Sequence, residues 1–284
     1  MEILRSRDAV RRWTAGHHAA GRTVGLVPTM GFLHRAHTDL MRAAAKHADV
    51  VIASIFVNPT QFGPDEDFER YPRDEAGDLA KAEGAGCAAV FLPTVAEMYP
   101  ADAATRVRVS TLSTHLCGGS RPVFFDGICT VVAKLFHIVG CDVAVFGEKD
   151  FQQLAIIRRM VRDLDFPVQV IGHPLVREPD GLAMSSRNAY LSARQRADAL
   201  ALSKALAEVA ERYATGERDA DVLRGILRAR IGAVGSMTLD YAELVDTEAL
   251  QPVKGALTGP TLAAVAVDLQ GTRLIDNTVL GRTG

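Results

Sequence analysis

The sequence predicts an α/β fold: a doubly wound, Rossmann-like parallel sheet followed by a smaller C-terminal α+β domain. Three observations carry this. Short β-branched runs alternate with longer stretches of helical spacing as far as about residue 175, as βαβ units with right-handed crossovers require. The run 50–57 is continuously apolar, the pattern of a strand buried on both faces of a parallel sheet. Beyond residue 175 two Ala/Leu/Arg-rich helical segments precede two strand-like pieces, without alternation. The expected boundaries are 1–175 and 176–284.

Taken in order, 24–27 reads as a strand, and Pro28-Thr29-Met30-Gly31 as the turn after it. Residues 34–49 follow as a helix, with Leu33, His37, Leu40, Met41, Ala44 and Ala45 at helical spacing. The strand 50–57 is followed by Asn58-Pro59-Thr60-Gln61-Phe62-Gly63, a polar helix over 73–84 and a strand over 88–92. A mostly apolar helix spans 126–139, a strand 143–146, a helix 150–164 and a strand 168–171. Glu178-Pro179-Asp180-Gly181 is a turn-rich break. Helices near 192–214 and 218–233 and strands at 239–245 and 262–268 complete the chain.

Composition narrows the function classes. The 284 residues are 48% hydrophobic and 23% charged with net charge −2, which suits a globular enzyme and offers no basic footprint for nucleic acid. No apolar run reaches the roughly 18–20 residues of a membrane span, so no membrane partner is expected. The charged N-terminus lacks the apolar stretch of a signal peptide. Cys87, Cys117, Cys129 and Cys141 form no C-x-x-C pair and read as reduced, mostly buried thiols. A cytoplasmic protein is expected.

Three polar clusters fall at the carboxyl ends of predicted strands: Pro28-Thr29-Met30-Gly31, 58–63, and Gly147-Glu148-Lys149-Asp150. In an open α/β sheet that edge binds ligands. No G-x-x-x-x-G-K-[ST] loop occurs, and Gly84-Ala85-Gly86-Cys87-Ala88-Ala89 precedes a strand instead of following one, so it reads as a helix cap and turn. His34 and His37 are three apart and share a helix face beside the helix N-terminus, where backbone N–H groups favour phosphate. Taken alone, the pair reads first as two ordinary histidines and second as phosphate donors. With no H-E-x-x-H pattern and no nearby Cys/His pair, no metal site is expected there. Met184-Ser185-Ser186-Arg187-Asn188 offers hydroxyls and a guanidinium for a polyphosphate, or else a loop ahead of a helix capped by Ser192. The acidic run Asp65, Glu66, Asp67 and Glu69 reads as a solvated loop, with magnesium contact as the lesser reading.

In this order the clusters resemble the pantothenate synthetase family over nearly the whole chain. The resemblance runs through Pro28-Thr29-Met30-Gly31-x-Leu33-His34-x-x-His37, Asn58-Pro59-x-Gln61-Phe62, Tyr71-Pro72-Arg73 and Phe125-x-Gly127-x-x-Thr130-Val131-Val132. It continues through Phe146-Gly147-Glu148-Lys149-Asp150-x-Gln152-Gln153-Leu154 and Arg177-Glu178-x-Asp180-Gly181-Leu182-Ala183-Met184-Ser185-Ser186-Arg187-Asn188, and closes on Thr272-Arg273-Leu274-Ile275-Asp276-Asn277. It implies kinship with nucleotidyltransferases and class I aminoacyl-tRNA synthetases. It also implies an AMP-forming ligase that joins pantoate to β-alanine, with ATP and Mg²⁺, as a homodimer, its C-terminal domain closing over the ATP site. ATP would contact Met30, Gly31, His34, His37, Gly147, Glu148, Lys149, Asp150, Val176, Met184, Ser185, Ser186 and Arg187. His37, His34 and Lys149 would be catalytic, Gln61 and Gln153 would hold pantoate, and Gln61 would also serve β-alanine. Two positions depart from the family pattern. Val123-Phe124 follows Arg121-Pro122 where Gly-His or Thr-His is usual, and Arg35-Ala36 stands between the histidines where Glu-Gly is common.

Overall fold

A computed structural model describes residues 1–64 and 66–282. The chain divides into two compact units. The first comprises residues 1–110, 121–148 and 156–174, and the second residues 111–120, 149–155 and 175–284.

The first unit is built on six parallel strands: β1 (Glu2–Leu4), β2 (Val24–Thr29), β3 (Val50–Ile55), β4 (Ala89–Phe91), β5 (Val143–Gly147) and β6 (Gln169–His173). Their order across the sheet is β1-β4-β3-β2-β5-β6, and every pairing is parallel. The chain thus moves outward one way from β2 to β3 and β4, then returns to the other side of β2 for β5 and β6. That reversal puts a topological switch point between β2 and β5, at whose carboxyl edge ligands bind in such sheets. Val24, Leu26, Val27, Ile52, Ala53 and Val145 are wholly buried, which explains why these strands read as unbroken apolar runs.

The helices are α1 (Arg7–Ala19), α2 (Arg35–Ala44), α3 (Glu75–Gly84), α4 (Val95–Met98), α5 (Cys117–Ser120), α6 (Phe124–Val139), α7 (Phe151–Asp163), α8 (Ala193–Ala214) and α9 (Ala220–Gly232). Their starts follow capping chemistry. Ser6, Asp74 and Asp219 each accept a backbone N–H from the first turn of their helix. Ser192 forms a capping box with Gln195, its N–H donating to Gln195 Oε1 at 2.9 Å. The second unit packs α8 and α9 on an antiparallel sheet, β7 (Met237–Asp246), β8 (Thr261–Leu269) and β9 (Thr272–Leu280). Leu202, Leu206, Leu223, Leu227, Leu244 and Val265 form its core.

Among the elements that went unread in the sequence are β1, α1 and β9, along with the one-turn helices α4 and α5. β1 is too short to show a period, and α1 turns only Val10, Trp13 and Thr14 inward. β9 carries polar residues at inward positions, Asp276 among them, and this breaks its apolar alternation. The helix expected over 34–49 stops at Ala44, because residues 45–47 are exposed and offer no apolar face. The G-x-G-x-x-A match is a helix end: Ala85 caps α3, and Gly86 turns with φ +87° ahead of β4. All four cysteines are buried thiols outside any disulfide, and burial pushes the Cys87, Cys129 and Cys141 thiols up to about 12. Among the described residues no helix is long and apolar enough to cross a membrane.

Candidate active site

Strands β3, β2 and β5 are neighbours, and each ends in one of the polar clusters. Met30-Gly31 follows β2, the turn Pro59–Gln61 follows β3, and Gly147-Glu148 closes β5. The first unit therefore collects Met30, Gly31, His34, His37, Gln61, Gly147 and Glu148 at one sheet edge, beside the switch point.

Local sequence explains the shape of the first loop. Gly31 has φ +83°, and a Cβ there would lie 2.9 Å from Asp78 Oδ2 and 3.0 Å from Ile55 Cγ2, so only glycine fits. Phe32 also takes a positive φ of 48°. The buried Asp78 carboxylate of α3 holds this turn, accepting the Phe32 N–H at 2.8 Å and the Leu33 N–H at 2.6 Å. Burial pushes the Asp78 carboxyl above its ordinary range, and the Leu33 and Phe32 N–H groups pull it back.

His34 is the N-cap of α2 and His37 stands in its first turn. The rings stack with centroids 4.1 Å apart at 29°. The His34 backbone N–H donates to His37 Nδ1 at 3.3 Å, which leaves the exchangeable proton of His37 on Nε2. Two imidazoles on one face at the positive dipole end of a helix can donate to an anionic oxygen.

Gln61 is oriented from both ends of its amide. Asn58 Nδ2 donates to Gln61 Oε1 at 3.0 Å, and Gln61 Nε2 lies 3.0 Å from Met30 Sδ. Asn58 itself is buried, donates to Gly127 O at 3.2 Å and accepts from Tyr99 Oη at 2.9 Å. Gly127 permits the close approach of α6, since a Cβ there would sit 2.2 Å from Thr60 O. The sequence reading missed Asn58, Tyr99 and Asp78 as supports. The Asn58-Pro59 dipeptide, a turn initiator, was the available signal for the first.

Phe124 has a defined place. Arg121 stacks over its ring at 3.5 Å from the centroid, pairs with Glu66 (Nε to Oε1, 2.6 Å) and donates to Gln61 O at 3.3 Å. The solvated-loop expectation therefore fails at Glu66, which meets a guanidinium in an ion pair where neither partner is fully exposed. Asp65 lies outside the described residues. Phe124 is thus a cation–π platform for the guanidinium that braces the Gln61 loop.

The second unit holds the remaining candidates. Lys149 projects from a short turn before α7, its Nζ 3.9 Å from Asp150 Oδ2. Gln152 and Gln153 are distinct in environment. Gln152 is buried and spent on backbone, accepting from Cys117 N at 3.0 Å and donating to Leu112 O and His115 O at 2.9 and 2.7 Å, while Gln153 is half-buried. Val176 accepts the Met184 N–H at 3.0 Å. Ser185 caps the turn Ser186–Tyr190 by accepting the Arg187 N–H, and Ser186 is buried. Asn188 donates to Glu178 Oε1 at 2.6 Å and Ala183 O at 3.0 Å, and Arg196 reaches Glu178 and Asp180 at 2.5 and 2.8 Å. The 177–188 segment is thus stitched at several points.

One prediction arises from this geometry. Asp78→Ala removes the carboxylate that accepts the Phe32 and Leu33 N–H groups, at about 1–3 kcal/mol for the buried Leu33 group. The urea unfolding midpoint should fall. An unchanged midpoint would show that the carboxylate is not what holds the loop.

A doubly wound sheet with three polar loops at the carboxyl edge beside its switch point has the architecture of ligand-binding α/β enzymes. The sequence model of the pantoate–β-alanine ligase family matches residues 2–279, and the chain belongs to that family. It is 52% identical over 280 residues to a pantothenate synthetase of Moorella thermoacetica, covering 99% of both chains. The crystal structure of pantothenate synthetase from Thermus thermophilus superposes with a TM-score of 0.92 at 43% identity, covering 98% of this chain and 99% of that one. A pantoate–β-alanine ligase from Francisella tularensis, solved with β-γ ATP and β-alanine, gives a TM-score of 0.75 at 29% identity over 100% and 99% of the two chains.

Proposed function

We propose that this chain condenses pantoate with β-alanine through a pantoyl adenylate, using ATP and releasing pyrophosphate and then AMP. The observation that carries the reading is the stacked His34–His37 pair at the N-terminus of α2 beside the Gln61 loop, in a chain of this family. The relative solved with β-γ ATP and β-alanine supports the same two ligands here.

A carboxylate oxygen of pantoate attacks the α-phosphorus of ATP, and the bond to pyrophosphate breaks. Negative charge builds on the phosphoryl oxygens and the leaving group. Preorganised donors stabilise it, and His37, His34, Lys149, Ser185, Ser186 and Arg187 are assigned to that task. Met30, Gly31, Gly147, Glu148, Asp150, Val176 and Met184 are assigned to the rest of the nucleotide. Gln61 and Gln153 are assigned to pantoate, whose hydroxyls and carboxylate suit amides better than an apolar pocket. The Gln61 Nε2–H meets the Met30 thioether sulfur, a weak acceptor, and is readily given to a substrate oxygen. The amine of β-alanine then attacks the acyl carbon, AMP leaves with the bridging oxygen, and the nitrogen loses a proton. Gln61 is assigned to this second substrate as well.

Among the described residues no three His, Cys, Asp or Glu side chains are grouped to hold a cation. Mg²⁺ would be held chiefly by the triphosphate and water, as that ion prefers, and would neutralise phosphate charge there. The resemblance further supports a homodimer in the cytoplasm. Pyrophosphate release tests the reading. ATP and pantoate alone should release it, and AMP should accumulate with an amide product only when β-alanine is added. Absence of pyrophosphate under both conditions would leave a nucleotide-binding protein without ligase activity.

A further inference from the structure

The motif Thr272-Arg273-Leu274-Ile275-Asp276-Asn277 has no part in the reaction as described, yet it reaches two of the assigned phosphate elements. On β9, Asn277 Nδ2 donates to the backbone carbonyl of Lys149 at 2.8 Å. The Asn277 N–H donates to Asp276 Oδ1 at 2.7 Å. Asp276 is 2% exposed and receives the Arg177 guanidinium as a fork, Nη1 to Oδ2 at 2.7 Å and Nη2 to Oδ1 at 3.0 Å. Arg177 Nη1 also donates to Gly181 O at 3.0 Å, and Arg177 bridges Ala183 in antiparallel register. Val176 O then accepts the Met184 N–H, immediately before Ser185. One carboxylate therefore ties the peptide plane of Lys149 to the base of the segment that carries Ser185 and Arg187.

We propose that Asp276 and Asn277 are positioning residues for the adenylation step, a shared anchor that sets the Lys149 turn and the segment 176–187 in one register. The proposal rests on the reading of Lys149 as a phosphate donor. Its physical basis is that a lysine has a long flexible stem, so what the fold can fix is the direction in which that stem leaves the backbone. The amide of Asn277 fixes it through the Lys149 carbonyl, and the Arg177–Asp276 fork adds planar, bidentate geometry that a lone hydrogen bond lacks. Burial pushes the Asp276 carboxyl up, while the Arg177 guanidinium, the Asn277 N–H and the charge of Lys149 pull it back.

A double-mutant cycle on the full chain tests this, read as single-turnover pyrophosphate release from ATP and pantoate. Asn277→Ala should slow release ~10-fold, less than the ~10² that a 1 Å misplacement of a reacting group costs. Asn277→Asp, which keeps size but turns an oxygen towards the Lys149 carbonyl, should do the same and keeps the test available should the alanine variant fold poorly. In a Lys149→Ala background either change should cost almost nothing further, because the group being positioned is gone. No loss in the wild-type background, or the same loss in both backgrounds, overturns the anchor and leaves a structural contact only. Wild-type turnover by Lys149→Ala alone would instead remove the phosphate assignment on which the anchor rests.

Discussion

Lys149→Ala should release pyrophosphate from ATP and pantoate ~10²–10³ more slowly than wild type, the usual loss for one preorganised donor at a charge-developing centre. The loss should fall on this step because the ammonium is assigned to the phosphates, where charge accumulates as pyrophosphate departs. Stability should barely change. The side chain's ion pair is long, 3.9 Å to an Asp150 carboxylate that is itself 45% exposed, and such pairs contribute little. The hydrogen bond from Asn277 uses the Lys149 backbone carbonyl and survives the substitution. Single-turnover assays with thermal melts on the same samples check both halves. A folded variant with near-normal turnover would show that the lysine is not a phosphate donor.

The second large effect concerns His34 and His37. Their rings stack on one helix face, so both act on the same developing charge. Removing either should lower turnover far more than ATP affinity, since the contacts strengthen in the transition state. His37→Ala should be the more severe, because its Nδ1 is engaged by the His34 N–H and its Nε2 proton is the one presented. The double variant should lose less than the product of the two single losses. Preformed pantoyl adenylate supplied to His37→Ala should still react with β-alanine, the impaired step having been bypassed. A variant that forms adenylate normally but fails to transfer it would place the histidine in the second half-reaction.

How far the sequence spoke for itself depended on the range of each interaction. Strands β2, β3 and β5 were legible because both faces are buried and the residues are apolar throughout. The clusters at their ends could be located from that alternation alone, and β3, β2 and β5 are indeed adjacent. Ser192 was legible as a cap because its partner is three residues away. The supports were not. Asp78 holds Leu33 across 45 residues and Asp276 meets Arg177 across 99. A buried carboxylate that serves distant backbone or a distant guanidinium leaves no periodic trace. It even hides its own element, as Asp276 does in β9. Phe124 looked like the loss of a polar group, and only the fold shows the Arg121 guanidinium lying on it.

The central claim is that the pantoate carboxylate attacks the α-phosphorus of ATP, and the fate of its oxygens tests that most directly. Pantoate labelled with ¹⁸O in the carboxylate, turned over with ATP and β-alanine, should deliver one labelled oxygen to the phosphoryl group of AMP. The amide product should retain the other. Label in inorganic phosphate with ADP as co-product, or AMP free of label, would contradict the account.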